Sequence, residues 1–317
     1  MNMKFNDFIK EIKNNHKGKL YIQPHDYPDY DAICSAFGLQ KFLEHYSIFS
    51  TIIYGGMLSN FIEDELLSKL DIISKKINLE KTYKYPIFSV DTIPSNSNIT
   101  NVKGDYIGFL DHHVNNKVEK KFRYEYMYKS GAVSSLIIDI FIDNSVEIDR
   151  NTANALAIGL LTDTNSLTRG VEDRDLKNYM NIFHKINFEF VNYIVRNKLS
   201  VKDLQSYYKA INSFKLFEDI GLVFVDNPSD KNILGIIGDF FLSLKEVSVN
   251  ILAARTEKGT LLSVRSEDEN LQANETVNYI LKEIGSGGGH VYMAGGFTEK
   301  LLDKNFIIEK IKRLNNE

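Results

Sequence analysis

The 317-residue sequence holds one cysteine, Cys34. No disulfide framework and no thiolate zinc site can form within one chain. Cys34 falls in a segment of helical periodicity and reads as core. Tryptophan is absent, which carries no functional weight. No apolar run approaches the roughly 20 residues of a membrane span, and no signal-peptide hydrophobic region is present. The expected location is therefore cytoplasmic, with no membrane partner. An excess of basic charge is missing as well, the formal net charge being -4. A general nucleic-acid coat needs a basic surface to release counterions, so long duplex nucleic acid is not an expected partner. A short or small phosphate substrate in a local basic pocket stays compatible with this balance. Neither an internal repeat nor a low-complexity tract is visible. What remains, 43% hydrophobic and 25% charged residues, is the composition of a soluble globular protein long enough for two domains.

The spacing of apolar residues predicts an opening amphipathic helix, then strands at 19–23, 49–54, 86–90 and 106–110. Helical patterning fills 32–43 and 61–70, then 132–142 and a helix from about Asp149, a plausible cap, to Leu161. Alternation of strands with helices predicts an α/β fold: a mostly parallel sheet with helices on both faces. From Asp175 to about Lys215 the chain reads as helical and polar. A boundary near Asn197 to Lys202 gives domains 1–197 and 198–317. The second is smaller and mixed α+β, with strands predicted at 220–225 and 233–237. A hairpin joins 247–255 to 260–265 through Glu257-Lys258-Gly259. Helices follow over 270–284 and 299–314.

The most informative stretch is His25-Asp26-Tyr27-Pro28-Asp29-Tyr30-Asp31-Ala32, on a turn from strand to helix. His25, Asp29 and Asp31 are a set that suits Mn²⁺, Mg²⁺ or Zn²⁺, and a solvated acidic turn is the plainer reading. Other strands also end on acids or histidines, at Asp91 and at Asp111-His112-His113, and an apolar helix ends at Asp163. A lone Asp after a strand is more often a turn residue. Several such sites on one predicted rim, where open α/β sheets place their chemistry, favour metal. His25, Asp29, Asp31, Asp91, His112 and Asp163 offer more ligands than one open-site ion needs. Two divalent ions roughly 3.5–4 Å apart suit phosphoryl transfer. Mn²⁺ fits this ligand set best, with Mg²⁺, Co²⁺ and Zn²⁺ also compatible.

These motifs resemble the DHH–DHHA1 phosphoesterase superfamily, in particular its short oligoribonuclease (nanoRNase) and pAp-phosphatase type. The first motif, His-x-x-Pro-Asp-x-Asp-Ala, is matched by His25, Pro28, Asp29, Asp31 and Ala32, and Asp91 matches the second. Asp111-His112-His113 matches the third, with Asn116 at its usual later position. Gly159, Thr162, Asp163 and Thr164 match the fourth, and Gly287-Gly288-Gly289-His290 the C-terminal glycine-rich one, with Arg265-Ser266 upstream. The resemblance implies that His25, Asp29 and Asp91 hold one ion. Asp31, Asp91, His112 and Asp163 hold the other, with Asp91 shared. It further implies that His113 faces the scissile phosphate or protonates the leaving oxygen, and that Asp111 orients the histidines. Arg265, Ser266, Gly287, Gly288, Gly289 and His290 would grip the substrate, in an active site between the domains. Departures from the pattern fall at Tyr30, Ser286, Met293 and Asn165-Ser166-Leu167. None removes a ligand, and all bear on substrate choice.

The expected function is a metal-dependent phosphodiesterase that releases mononucleotides from short RNA with a metal-activated water. The alternatives are a 3′-phosphoadenosine 5′-phosphate phosphatase, a (cyclic) dinucleotide phosphodiesterase and a catalytically idle nucleotide sensor. Inorganic pyrophosphatases share the metal motifs, but the Gly287–His290 motif weighs against that activity. The resemblance leaves room for a homodimer.

Overall fold

The computed structural model describes residues 5–59, 61–114, 118, 120–197, 199–228 and 233–314; Asn116 lies outside them. The chain divides into two compact units, Met1–Lys198 and Leu199–Glu317.

In the first unit the elements run α1 (Asn6–His16), β1 (Lys19–Pro24), α2 (Tyr30–His45), β2 (Phe49–Tyr54) and α3. The last is a π-type turn, Ile62–Leu67, continued by Ser68–Leu70. Next come β3 (Ser74–Lys76), β4 (Ile87–Val90), β5 (Tyr106–Asp111) and β6 (Tyr124–Met127), then α4 (Val133–Asp143), α5 (Arg150–Asp163), α6 (Asp173–Phe183) and α7 (Phe188–Arg196). The six strands pair in the order β3-β2-β1-β4-β5-β6, every pair parallel. This is the parallel α/β sheet that the alternating pattern predicts. The edge strands β3 and β6 escape sequence reading because they are short, three and four residues, and β3 consists of Ser74, Lys75 and Lys76 alone. The strand order reverses direction between β1 and β4, and the crevice beyond the carboxyl ends of such a pair is where open sheets bind ligands. Ile87–Val90 is buried throughout, as a strand covered on both faces must be. A core of Phe8, Phe37, Phe42, Phe88 and Phe141 cements sheet to helices, with Phe8 edge-on to Phe88 at 5.0 Å. Asp29 caps α2 by accepting from the Ala32 N–H at 3.0 Å, and Asp149 caps α5 through the Thr152 N–H at 3.0 Å. Cys34 is buried in α2.

In the second unit the order is α8 (Leu204–Ser213), β7 (Lys215–Phe217), β8 (Ile220–Asp226), α9 (Ile233–Leu242), β9 (Val249–Thr256) and β10 (Gly259–Ser266). Then follow α10 (Ala273–Leu281), β11 (Ser286–Gly289), β12 (Met293–Thr298) and α11 (Lys304–Leu314). The sheet order is β11-β12-β10-β9-β8-β7. Only β8–β9 is parallel among these pairs, so this is the mixed α+β unit expected. Alternate residues of β8 and β9 face opposite cores, Leu222 and Ile251 into one, Val223 and Leu252 into the other. The strand predicted at 233–237 is instead the first half of α9. Ile233, Leu234, Ile237, Gly238, Phe241 and Leu242 are buried, a helical spacing that a five-residue apolar run is too short to reveal. The glycine run also takes a regular form, Ser286–Gly289 being an edge strand paired antiparallel with β12. Among the described residues, no helix is long and apolar enough to cross a membrane.

Candidate metal centre

Three strand ends of the first sheet and one helix end supply the cluster. His25 to Asp31 lie between β1 and α2, Asp91 directly follows β4, Asp111 closes β5 ahead of His112 and His113, and Asp163 closes α5. Asp91 turns the chain with a left-handed φ of 59°, a conformation that Asp tolerates better than most residues. Its carboxylate is common to three groups, one of them with Asp111 and His113. Ligand atoms of His25, Asp29 and Asp91 lie within 4.8 Å of one another, and so do those of Asp31, Asp91 and His112. His25 Nε2 is 3.6 Å from Asp91 Oδ2 and 3.9 Å from Asp29 Oδ1. On the other side His112 Nε2 is 3.5 Å from Asp91 Oδ1 and 3.6 Å from Asp163 Oδ2.

The backbone fixes the tautomers. His25 Nδ1 donates to the Asp26 carbonyl at 2.9 Å, and His112 Nδ1 donates to the Ser130 carbonyl at 2.9 Å. In a neutral ring so held, Nε2 is an acceptor. Both Nε2 atoms point at carboxylates, beyond good hydrogen-bond length. Asp91 Oδ1 is buried with no hydrogen-bond partner. Acceptors aimed at acceptors repel unless positive charge lies among them, so these residues fit divalent cations. The electrostatics agree. Burial pushes the Asp91 carboxyl well above the ordinary carboxylate range, and the charges of Asp31, Asp29, Asp111 and Asp163 push it further. Asp163 is raised by burial and by Asp31 and Asp29. Burial also raises Asp31, against the opposing influence of His112. A bound cation would reverse this balance and hold the same groups ionised.

Asp31 is buried, and both its oxygens are engaged at the start of α4, where Val133 N donates to Oδ2 at 2.7 Å and Ser134 N donates to Oδ1 at 2.9 Å. This explains why Ala132, at the cap position of α4, brings no capping side chain: Asp31 caps that helix from another element. The second lone pair on each oxygen stays directed elsewhere. Close approach of α5 requires Gly159, since a Cβ there would meet Ser134 Oγ and come within 2.7 Å of Asp31 Oδ1.

His113 stands beside the cluster. Its Nδ1 donates to Asp111 Oδ1 at 2.6 Å and its backbone N–H donates to the same oxygen at 3.2 Å. Burial alone would raise Asp111, but the hydrogen bond and charge of His113 outweigh it and hold Asp111 below its ordinary value. An ionised Asp111 thereby fixes the His113 ring with Nε2 turned away from it.

After Asp163, the residues Asn165, Ser166 and Leu167 are all left-handed, with φ of 48°, 61° and 65°. Such a run costs roughly 1–2 kcal/mol per non-glycine residue. Thr164 helps hold it, accepting from the Leu167 N–H at 3.1 Å through Oγ1 while that hydroxyl donates to the Leu160 carbonyl at 2.6 Å. Tyr30, between the two acids of the first motif, is half-buried and packs against the phenylalanine core.

The predicted substrate residues all belong to the second unit. Arg265, on β10, lies beside α9, its Nε donating to Asp239 Oδ1 at 2.9 Å and its Nη1 to the Val264 carbonyl at 3.1 Å. Gly235 and Gly238 leave room for it, a Cβ at Gly238 standing 3.1 Å from Arg265 Cγ. Ser266 is buried, and its hydroxyl accepts from the Asp268 N–H at 3.1 Å, closing a turn. Gly287, Gly288 and Gly289 form β11, and the His290 N–H donates to the Met293 carbonyl at 2.7 Å. Two residues at the metal cluster have no motif to announce them: Ser130, whose carbonyl holds His112, and Asp175, which binds the Ser130 hydroxyl at 2.6 Å. A helix without its own capping residue was the available sign of outside help at 130–134.

Comparison with known proteins follows the same two-part division. A DHH family, N-terminal domain, matches residues 19–160, and a DHHA1 domain matches residues 220–317. An uncharacterized protein of Methanocaldococcus jannaschii is 25% identical over 285 residues, 89% of this chain and 58% of that protein. The chain thus spans little more than half of that relative. An exopolyphosphatase-related protein from Bacteroides fragilis superposes with a TM-score of 0.75 at 19% identity, over 98% of this chain and 95% of that one. RecJ from Thermus thermophilus, in complex with Mn²⁺, gives a TM-score of 0.55 at 11% identity, over 98% of this chain and 53% of that one. These likenesses are of fold. The chain thus carries a DHH family, N-terminal domain, which holds all of the histidine–aspartate cluster but Asp163, and a DHHA1 domain after it.

Proposed function

We propose that this protein is a metal-dependent phosphodiesterase acting on short oligonucleotides. The observation that carries the reading is the shared Asp91 carboxylate, common to the His25–Asp29 group and the Asp31–His112 group. Two divalent ions would be held, one by His25, Asp29 and Asp91, the other by Asp31, Asp91, His112 and Asp163. Such ions, when bound, supply an activated water at neutral pH and offset charge gathering on the phosphate. Mn²⁺ is the first choice, in keeping with the imidazole and carboxylate donors; the RecJ of similar fold is found in complex with Mn²⁺ and with Mg²⁺.

The side chains of the protein do the rest. His25 and His112, locked by the carbonyls of Asp26 and Ser130, present their Nε2 atoms without reorganising. His113, oriented by ionised Asp111, binds the scissile phosphate or delivers a proton from Nε2 to the leaving oxygen. Arg265, whose Nε and Nη1 already donate within the second unit, brings a permanent positive charge that suits a terminal phosphate. Gly288, where an added Cβ would meet nothing within 4 Å, leaves backbone open on an edge strand. His290, Ser266, Gly287 and Gly289 shape the same part of the second unit. The net charge of -4 favours short substrates, because a long polyanion calls for an extended basic groove.

The test is a substrate panel with Mn²⁺: 5′-labelled RNA dimers to pentamers, 3′-phosphoadenosine 5′-phosphate, and linear and cyclic dinucleotides. Mononucleotides should appear from the short RNAs. Phosphate release from the bisphosphorylated nucleoside alone would move the assignment to a phosphatase. No product from any member would leave a nucleotide sensor.

A further inference from the structure

We propose that Asp175, on α6, is a positioning residue for the half of the metal centre formed by Asp31 and His112, an inference that rests on the metal-dependent reading above. Asp175 is wholly buried and lies outside the motifs. Its carboxylate accepts three hydrogen bonds. Ser130 Oγ donates to Oδ1 at 2.6 Å, and Gly131 N donates to Oδ2 at 2.7 Å. The third donor is Glu172 N, to Oδ2 at 2.8 Å. The last of these is a helix cap within α6. The first two are not: they reach more than forty residues back along the chain, to the segment entering α4.

That segment touches the centre at both of its ends. The Ser130 carbonyl takes the Nδ1 proton of His112, which sets the tautomer. Three residues on, Val133 N and Ser134 N hold the two oxygens of Asp31. Asp175 therefore grips the one stretch of backbone that orients two candidate ligands. α6 repeats the grip a turn later, where Asn178 Nδ2 donates to the Ser135 carbonyl at 2.9 Å. Gly131 permits the closeness, since a Cβ there would stand 2.7 Å from Asp175 Oδ2 and 2.6 Å from Thr164 Cγ2. Among the described residues no such link reaches His25, whose Nδ1 is held by Asp26, or Asp29, which is bonded within α2. The consequence is an asymmetry. Loss of Asp175 loosens the Asp31–His112 half and spares the His25–Asp29 half.

A purely structural role would loosen both halves or neither. The experiment is calorimetric titration of the metal-free full-length protein with Mn²⁺, well below its melting temperature. Wild type, Asp175→Ala, Asp175→Asn and Ser130→Ala are compared. Outer-shell partners of metal ligands typically govern about 10–100-fold in affinity. Acting one bond further out, Asp175→Ala should weaken one class of site about ten-fold, the lower end of that range, and leave the other class unchanged. Asp175→Asn should recover part of the loss, and Ser130→Ala should shift the same class in the same direction. Equal weakening of both classes, or unchanged binding in Asp175→Ala, overturns the proposal. If Asp175→Ala does not fold, Ser130→Ala decides, and wild-type affinity in both its classes overturns the proposal. A wild-type protein that binds no Mn²⁺ would instead overturn the metal-dependent reading, and this inference with it.

Discussion

Replacing Asp91 by Asn should make the metal-free protein more stable while removing its response to metal. The left-handed backbone at residue 91 accepts Asn as readily as Asp, and the side chains are nearly isosteric. What changes is charge. Asp91 has ligand atoms within 4.8 Å of those of Asp29 and of Asp31. At about 5 Å and an effective dielectric near 20, each like-charge pair costs about 3 kcal/mol. Uptake of a proton limits the total, because neutralising a carboxyl of ordinary pKa at pH 7 costs about 4 kcal/mol. Allowing for imperfect amide packing, we expect Asp91→Asn to gain about 2 kcal/mol, a rise of roughly 4–8 °C in the melting of a unit of this size. The pH dependence follows from the raised carboxyls of Asp91, Asp31 and Asp163. Their folded-state pKa values exceed the unfolded ones, so their contribution to stability is fully present below the ordinary carboxylate range. It is lost as pH rises through the raised folded values. Metal-free wild type should therefore lose stability from pH 4 toward neutrality, and the variant should lose less. Scanning calorimetry with and without Mn²⁺ reads both effects. A variant less stable than wild type when metal-free, or one that Mn²⁺ stabilises as fully as wild type, would refute the reasoning.

His113→Gln should lower kcat by about 10²–10⁴ while Mn²⁺ affinity, followed by titration, stays at the wild-type value. Gly159→Ala places a methyl group against Ser134 and Asp31; it should cost about 1–3 kcal/mol of stability and weaken Mn²⁺ binding, both read by thermal melts across a metal series. Arg265→Ala should raise KM for short RNA about ten-fold or more, the worth of a charged hydrogen bond, with metal binding untouched, as steady-state kinetics would show.

The parts of the centre differ in how legible they are from sequence. Strand-ending acids such as Asp91 and Asp111 are visible because a buried apolar run stops on a charge, and the parallel sheet then places those ends on one rim. The switch between β1 and β4 needs the strand order, which no local pattern carries. The misreading of 233–237 arises from β-branched residues in a run too short to show its period, and tertiary burial at helical spacing resolves it. β3 stays hidden because Ser74, Lys75 and Lys76 are too polar to announce a strand, and β6 because four residues are too few to show a period. Ser130 and Asp175 are invisible for another reason. Their effect passes through backbone groups, and sequence alone does not say which carbonyl meets which imidazole. The capping of α4 by Asp31, an acid 102 residues away, belongs to the same class.

The most direct measurement is an anomalous-difference map from crystals of the full-length protein soaked in Mn²⁺. Two peaks should appear, one beside His25 and Asp29 and one beside Asp31, His112 and Asp163, with the Asp91 carboxylate between them and touching both. A single peak, or ions that leave Asp91 untouched, would contradict the shared-carboxylate centre.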